Sequence, residues 1–299
     1  MNLKEHKSIP TVLLLSVALV WGSTFAIMKD SLGRIDVNSF LAWRFVVAAL
    51  AMALLRPQSF RHMTPSFLLR GICAGLLLGG GYIFQTFGLT LTTVAKTGFI
   101  TGLYAIFVPL IGALFFRSKI SKIQWIAVGL ATIGTAFLSL HGFHMGLGEF
   151  LVLVGALFYA LHIIGLSHWS PERDSYALAM IQMATVGLLA LLGSFKSGFQ
   201  APHDRGVWVV IIYSAIAASA FAFIVQTWAQ SFMSGITVGI ILTMEYIFAA
   251  AFGVLLVHEH LTWRILVGGI LMMVGLYLAI LFEEPQASLK TTSHEKIAQ

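Results

Sequence analysis

Two charged side chains stand inside long apolar runs, and they are the residues best placed to do chemistry. Glu245 is the tenth residue of the run 236–257, so at 1.5 Å per residue it lies ~14 Å from the start of that run, near the middle of a bilayer. Arg44 is the seventh residue of the run 38–55 and lies ~9 Å in, where an arginine can still snorkel toward water. A charge near the bilayer centre costs about 2.5 to 3.5 kcal/mol on insertion scales, so each needs a partner or a task. A carboxylate at that depth can hold a cation, an ammonium group or a proton. The two residues can pair with each other, or both can face one cavity and each take one end of a zwitterion.

Uncharged polar and aromatic residues accompany them in neighbouring runs: Trp21, Tyr82, Gln85, Tyr104, Tyr159, His162, Gln182, Gln226 and Trp228. Around a cavity such groups stack on and hydrogen-bond an organic solute. The competing reading for each is helix packing or an aromatic at the membrane interface. The triplet His258-Glu259-His260 has the wrong spacing for zinc, because the helical zinc motif sets its histidines four apart with Glu between them. No metal site and no cofactor is expected. Cys73, the single cysteine, lies in an apolar run and reads as packing.

The elements that must position these residues follow from composition. The 299 residues are 58% hydrophobic and only 10% charged, with a mean hydropathy of +0.90, whereas soluble domains carry about 25% charged residues. Lipid is therefore the solvent for most of the chain. Ten apolar runs have the length a ~30 Å hydrocarbon core requires: 10–28, 38–55, 67–87, 95–116, 123–140, 148–168, 176–194, 207–228, 236–257 and 262–282. The run after the basic start, Thr11 to Val20, is read as the first span and not as a cleaved signal, since no small-residue cleavage site follows. The formal charge of +6 does not indicate nucleic acid. With both termini cytoplasmic, eleven Lys and Arg face the cytoplasm and six face outward, the bias expected of a multi-pass protein. No phosphate-binding loop of the Gly-rich, Lys-Ser/Thr kind is present, so transport powered by this chain's own ATP hydrolysis is not expected.

A shift of 141 residues aligns the chain with itself without a gap from Ile83 onto Ile224 through Gly134 onto Gly275. Gln85/Gln226, Thr86/Thr227, Gly98/Gly239, Gly112/Gly253 and Gly134/Gly275 are among the matches. Nearer the front of each unit the offset is about 138, which sets Trp21 beside Tyr159 and Arg44 beside Gln182. Two five-helix units are thus expected, 10–140 and 148–282, followed by a polar cytoplasmic tail, 283–299. An odd number of crossings per unit inverts the second, the architecture of alternating-access transporters. Charge breaks the repeat where Tyr104 stands opposite Glu245. Small residues four apart, Gly71-x-x-x-Gly75-x-x-x-Gly79, are expected to let helix backbones approach closely.

The ordered signs Trp21-Gly-Ser-Thr-Phe25, Arg44-Phe45, Pro109 with Gly112, Met244-Glu245-Tyr246 with Ala249-Ala250, and Glu259-His-Leu-Thr262 resemble the EamA-type family of the drug/metabolite transporter superfamily. The resemblance implies a ten-helix basket around a central cavity, the inner membrane of a bacterium, and export of amino acids or other small metabolites. Tyr246 departs from the proline frequent after the acid, which removes the sequence reason for a helix break there. Arg117-Ser-Lys119 likewise departs from a position where the family often has an acid. The expected function is therefore secondary transport of a small molecule, amino-acid-like before drug-like, with export ahead of import and protons as candidate coupling partners. A membrane-embedded enzyme would need acids, histidines or a nucleophile clustered at one membrane face, and only His141, His144 and 258–260 approach that. A non-transporting subunit is the remaining rival.

Overall fold

The computed structural model describes residues 5–116, 120–139, 146–171, 173–196, 198–256 and 262–282, and among these every regular element is helical. The segment His258-Glu259-His260, the histidines at 141 and 144, Arg117-Ser-Lys119 and the tail 283–299 lie outside the described residues. In chain order the α-helices are α1 (Glu5–Leu32), α2 (Val37–Leu55), α3 (Pro65–Leu91), α4 (Val94–Gly102), α5 (Tyr104–Phe116), α6 (Lys122–Ser139) and α7 (Leu147–Trp169). They continue as α8 (Ser175–Ser194), α9 (Arg205–Ala215), α10 (Ala222–Ala229), α11 (Gly235–Leu242), α12 (Glu245–Leu256) and α13 (Trp263–Leu281). A 3-10 turn, Pro57–His62, follows α2, and a π-helical turn, Ile216–Phe221, joins α9 to α10. Seven candidate spans are long and apolar enough to cross a membrane, and the segments Lys122–Phe137, Gly235–Ala249 and Leu266–Leu281 are apolar but shorter.

Three runs that the sequence presents as continuous are interrupted. The run 95–116 breaks between α4 and α5, the run 236–257 between α11 and α12, and the run 207–228 passes through the π turn. The first two breaks have the same construction. Leu103 N donates to Ile100 O (3.2 Å) and Phe107 N to Leu103 O (3.0 Å); 141 residues later Met244 N donates to Ile241 O (3.1 Å) and Phe248 N to Met244 O (3.1 Å). The i to i−3 bond tightens each helix end and lets the next helix restart in a new direction. The break at Thr243-Met244 therefore forms without the proline whose absence argued against it. The Tyr246 ring occupies the space that a Cβ at Gly98 (3.1 Å) or Gly102 (2.8 Å) would need. That contact wedges the restart of α12 against α4.

Close packing of glycine faces holds the bundle together. Gly71, Gly75 and Gly79 of α3 meet Ile181, Thr185 and Leu189 of α8, a match at four-residue steps on both helices. On α6 and α13 the contacts are reciprocal in the repeat register. A Cβ on Gly134 would lie 2.5 Å from Met272 and 2.6 Å from Gly268 O, while one on Gly275 would lie 2.8 Å from Ala127 O and 3.2 Å from Ala131 N. Residues 127 and 131 are 268 and 272 less 141. Each helix thus offers the other the same surface, as a two-fold relation requires.

Polar ties close the ends of the bundle. At one end Lys96 Nζ (3.0 Å) and Thr92 Oγ1 (2.6 Å) both donate to Glu149 Oε1, and Lys29 Nζ donates to the Thr92 carbonyl. Another tie joins Arg56 at the end of α2 to Asp174 at the start of α8, 2.9 Å apart.

Candidate functional site

Helix breaks leave polar backbone exposed within an apolar bundle, so the surroundings of α4/α5, α11/α12 and the π turn are where a site can form. A cavity lined by nineteen residues lies there. Its lining includes nine of the sequence candidates: Trp21, Arg44, Tyr82, Gln85, Tyr104, Tyr159, His162, Gln226 and Glu245. Gln182 is not on the wall. It stands behind it, its Oε1 bonded to His162 Nε2 at 2.7 Å and its Nε2 donating to Leu178 O at 3.1 Å, so it orients the histidine. Trp228 is also absent from the wall and packs edge-on against Phe232 at 4.9 Å.

Arg44 is 1% exposed, and its charge is met by neutral groups. Nε donates to Ser219 Oγ (2.8 Å), Nη2 to Tyr82 Oη (3.2 Å) and to Ala218 O (3.2 Å), and Nη1 contacts Met28 Sδ (3.3 Å). The guanidinium lies 4.8 Å from the Tyr82 ring centroid and 5.1 Å from that of Phe45, close enough for cation–π attraction. Ala218 O also accepts from Trp21 Nε1 at 2.8 Å. Both donors reach that carbonyl because the π turn disturbs the regular i to i−4 ladder. Local sequence carries no mark of this role for the π turn.

Glu245 is 4% exposed and is the first residue of α12, so its carboxylate sits at the positive end of that helix dipole. Among the described residues no cation forms an ion pair with Glu245, and none of their carboxylates pairs with Arg44. Of the two arrangements the sequence allowed, both charges facing one cavity is the one observed.

Aromatic rings complete the wall. Phe223 stands 5.5 Å from Trp21, 6.1 Å from Tyr82 and 6.1 Å from His162, and Tyr82 meets Tyr159 edge-on at 5.6 Å. Phe223, Thr24, Phe25, Thr101, Ile163 and Leu242 also line the cavity and are not among the polar and aromatic candidates that the sequence singles out. The repeat holds the signal that finds them. Lining residues pair as 21/159, 24/162, 25/163, 82/223, 85/226, 101/242 and 104/245, fourteen of the nineteen in all. Met28, Leu78, Thr86 and Leu89 have no such mate on the wall, nor does Arg44.

Three buried polar atoms of the lining have no hydrogen-bond partner: Thr86 Oγ1, Tyr104 Oη and Gln226 Oε1. Two opposite formal charges, six aromatic side chains and unpartnered polar atoms around one cavity suit reversible binding of a small amphipathic solute. Acids and a nucleophile in hydrogen-bonded relay, as hydrolysis would require, are not what the wall presents.

Comparison with known proteins agrees with that reading. The sequence profile of the EamA-like transporter family matches residues 9–140 and 146–281. An uncharacterized transporter of Archaeoglobus fulgidus is 32% identical over 248 residues, covering 82% of this chain and 77% of that protein. The uncharacterized transporter YoaV of Bacillus subtilis is 24% identical over 286 residues, covering 89% and 94%. A solved crystal structure with 16% identity superposes with a TM-score of 0.75 over 92% of this chain and 97% of its own, a likeness of fold.

Proposed function

The chain belongs to the EamA-like transporter family and is a multi-pass membrane protein, and from that premise we propose that it is an alternating-access secondary transporter. Ten crossings arise when the broken helices are joined, in two inverted units, 10–140 and 148–282. Support for the inversion comes from the reciprocal Gly134 and Gly275 contacts and from helix breaks of one design at 103 and 244. Rocking of the units exposes the cavity to each side in turn. Lysines and arginines bias both termini to the cytoplasm, in the inner membrane of a bacterium.

The observation that carries the reading is the pair of separated, unneutralised poles, Arg44 and Glu245, on one cavity wall. A zwitterionic solute neutralises both at once, which favours an amino acid or amino-acid-like compound, exported. Glu245 is the one carboxylate on that wall, so proton coupling, where it operates, passes through it. The test is flux of candidate solutes in proteoliposomes. We expect the wild type to move a small zwitterion and E245Q to lose or uncouple that flux while inserting normally. Wild-type flux by E245Q at every pH overturns the role of Glu245. A growth panel with toxic amino-acid analogues and overexpressed protein reads direction, resistance meaning export and sensitivity uptake.

A further inference from the structure

The two glutamines retained by the repeat have unequal surroundings, and the inequality identifies what the second one binds. Gln85 is satisfied within the protein: its Nε2 donates to Thr101 Oγ1 (2.8 Å) and its Oε1 accepts from Tyr159 Oη (2.8 Å). Around Gln226 the residues at both matching positions differ. The mate of Thr101 is Leu242, with no polar atom to offer, and the mate of Tyr159 is Trp21, whose N–H is already given to Ala218 O. Gln226 Oε1 is left without a donor although the residue is only 2% exposed.

Which amide atom of Gln226 is left unpartnered follows from a chain of bonds that ends on a group of fixed polarity. Gln230 lies 2.7 Å from the Ile163 carbonyl, which only accepts, so Gln230 must present Nε2 there. Its Oε1 therefore faces Gln226, 3.1 Å away, and Gln226 must present Nε2 in return. That leaves the oxygen as the unpartnered acceptor of a residue on the cavity wall. Of the three unpartnered lining atoms, Thr86 Oγ1 and Tyr104 Oη are hydroxyls that can donate or accept. Gln226 Oε1 can only accept, so it alone dictates the chemistry of its partner.

We propose that Gln226 Oε1 and the Glu245 carboxylate form a subsite for a protonated amine of the transported solute, with Gln230 locking the oxygen in place. An ammonium group supplies several N–H donors and one positive charge, and so satisfies both acceptors together. A hydroxyl in its place supplies one donor and leaves Glu245 without a cation. The subsite rests on the transport reading above and adds to it which pole recognises nitrogen, and through which atom.

The experiment compares matched solutes in proteoliposomes of the full chain: the proteinogenic L-amino acids and the 2-hydroxy acids bearing the same side chains. Wild-type protein is expected to prefer the amino acid of a pair by roughly tenfold in KM or more, the scale of a charge-assisted hydrogen bond. Gln226→Leu should abolish most of that preference, and Gln226→Glu, which when protonated keeps both the acceptor oxygen and a donor to Gln230 Oε1, should retain it. Equal wild-type handling of both series, or equal loss of both in Gln226→Leu with the preference unchanged, overturns the amine subsite and leaves transport standing. Movement of neither series by the well-inserted wild type overturns the amino-acid form of the transport reading, and the subsite with it.

Discussion

The two halves of the cavity differ most where their sequences are otherwise in register. Gln85 and Thr101 of the first unit form a closed hydrogen-bonded set with Tyr159, which the second unit contributes, and the first unit's helix after the break begins with the neutral Tyr104. In the second, Gln226 keeps an open acceptor and the helix after the break begins with Glu245. Duplication supplies two copies of a scaffold; divergence has closed one copy and opened the other. The polar atoms satisfied within the protein hold the helices in register, and those left unsatisfied are available to a solute.

The comparison predicts unequal effects at repeat-related positions, the largest at the broken helices themselves. E245Q removes the charge and should abolish solute flux or its coupling. Tyr104→Phe, at the matching position, removes only a hydroxyl without a partner and should leave flux within about threefold. Equal damage from both substitutions, measured in the same vesicles, breaks the claim that the halves have separate tasks.

A smaller effect is expected from giving the open acceptor of the second half a donor within the protein. Leu242→Thr places a hydroxyl at the position of Thr101, where it can donate to Gln226 Oε1 and compete with the solute. Its KM for the transported amino acid should rise about three- to tenfold relative to Leu242→Val, which matches the loss of bulk without the hydroxyl. Identical KM values for the two variants mean that Gln226 Oε1 does not meet the solute.

Much of this organisation is legible in the sequence, and the limits have physical causes. The apolar runs mark the helices because lipid enforces them, and the two intramembrane charges mark the cavity because nothing else warrants their insertion cost. The break at 244 loses its sequence reason when Tyr246 stands in place of proline, and the break at 103 has none, since both arise from i to i−3 bonds and the Tyr246 wedge. The π turn at 216–221 sits in the small apolar stretch Ile-Ala-Ala-Ser-Ala-Phe, whose composition would serve an ordinary helix equally well. Gln182 was misplaced for a different reason. A polar residue facing inward can line a cavity or support a residue that does, and spacing alone does not separate the two. Phe223 was within reach, because it is the repeat mate of Tyr82.

Where the halves pack on each other they should respond alike. Gly134→Ala puts a methyl 2.6 Å from the Gly268 carbonyl, and Gly275→Ala puts one 2.8 Å from the Ala127 carbonyl. Backbone oxygens cannot swing away, so α6 and α13 must separate in either variant. Each should lose about 1 to 3 kcal/mol of stability in detergent, the usual range for overpacking, and the double variant less than the sum because one separation relieves both. Gly129→Ala, with no atom within 4 Å of the added methyl, is the silent control. A large loss in one variant alone contradicts a two-fold relation at this contact.

The smallest expected difference lies at the helix caps. Asp36 and Asp174 are 138 residues apart, and each caps the second helix of its unit. Asp36 accepts from Ser39 N at 3.0 Å, and Asp174 accepts from Tyr176 N (3.1 Å) and Ala177 N (3.2 Å). Only Asp174 also holds a cation, Arg56, whose guanidinium in turn lies 5.3 Å from the Tyr176 ring centroid. Either Asp→Ala change should cost about 1 kcal/mol for the lost cap. Asp174→Ala should cost ~0–1 kcal/mol more for the half-exposed pair, and Arg56→Ala should reproduce that surplus alone. Denaturation of the three variants separates cap from ion pair. If the two Asp→Ala losses are equal and Arg56→Ala is silent, the ion pair contributes nothing to stability. The difference between the halves then lies in the cavity, at Glu245 and Gln226, and not in the ties at the bundle end.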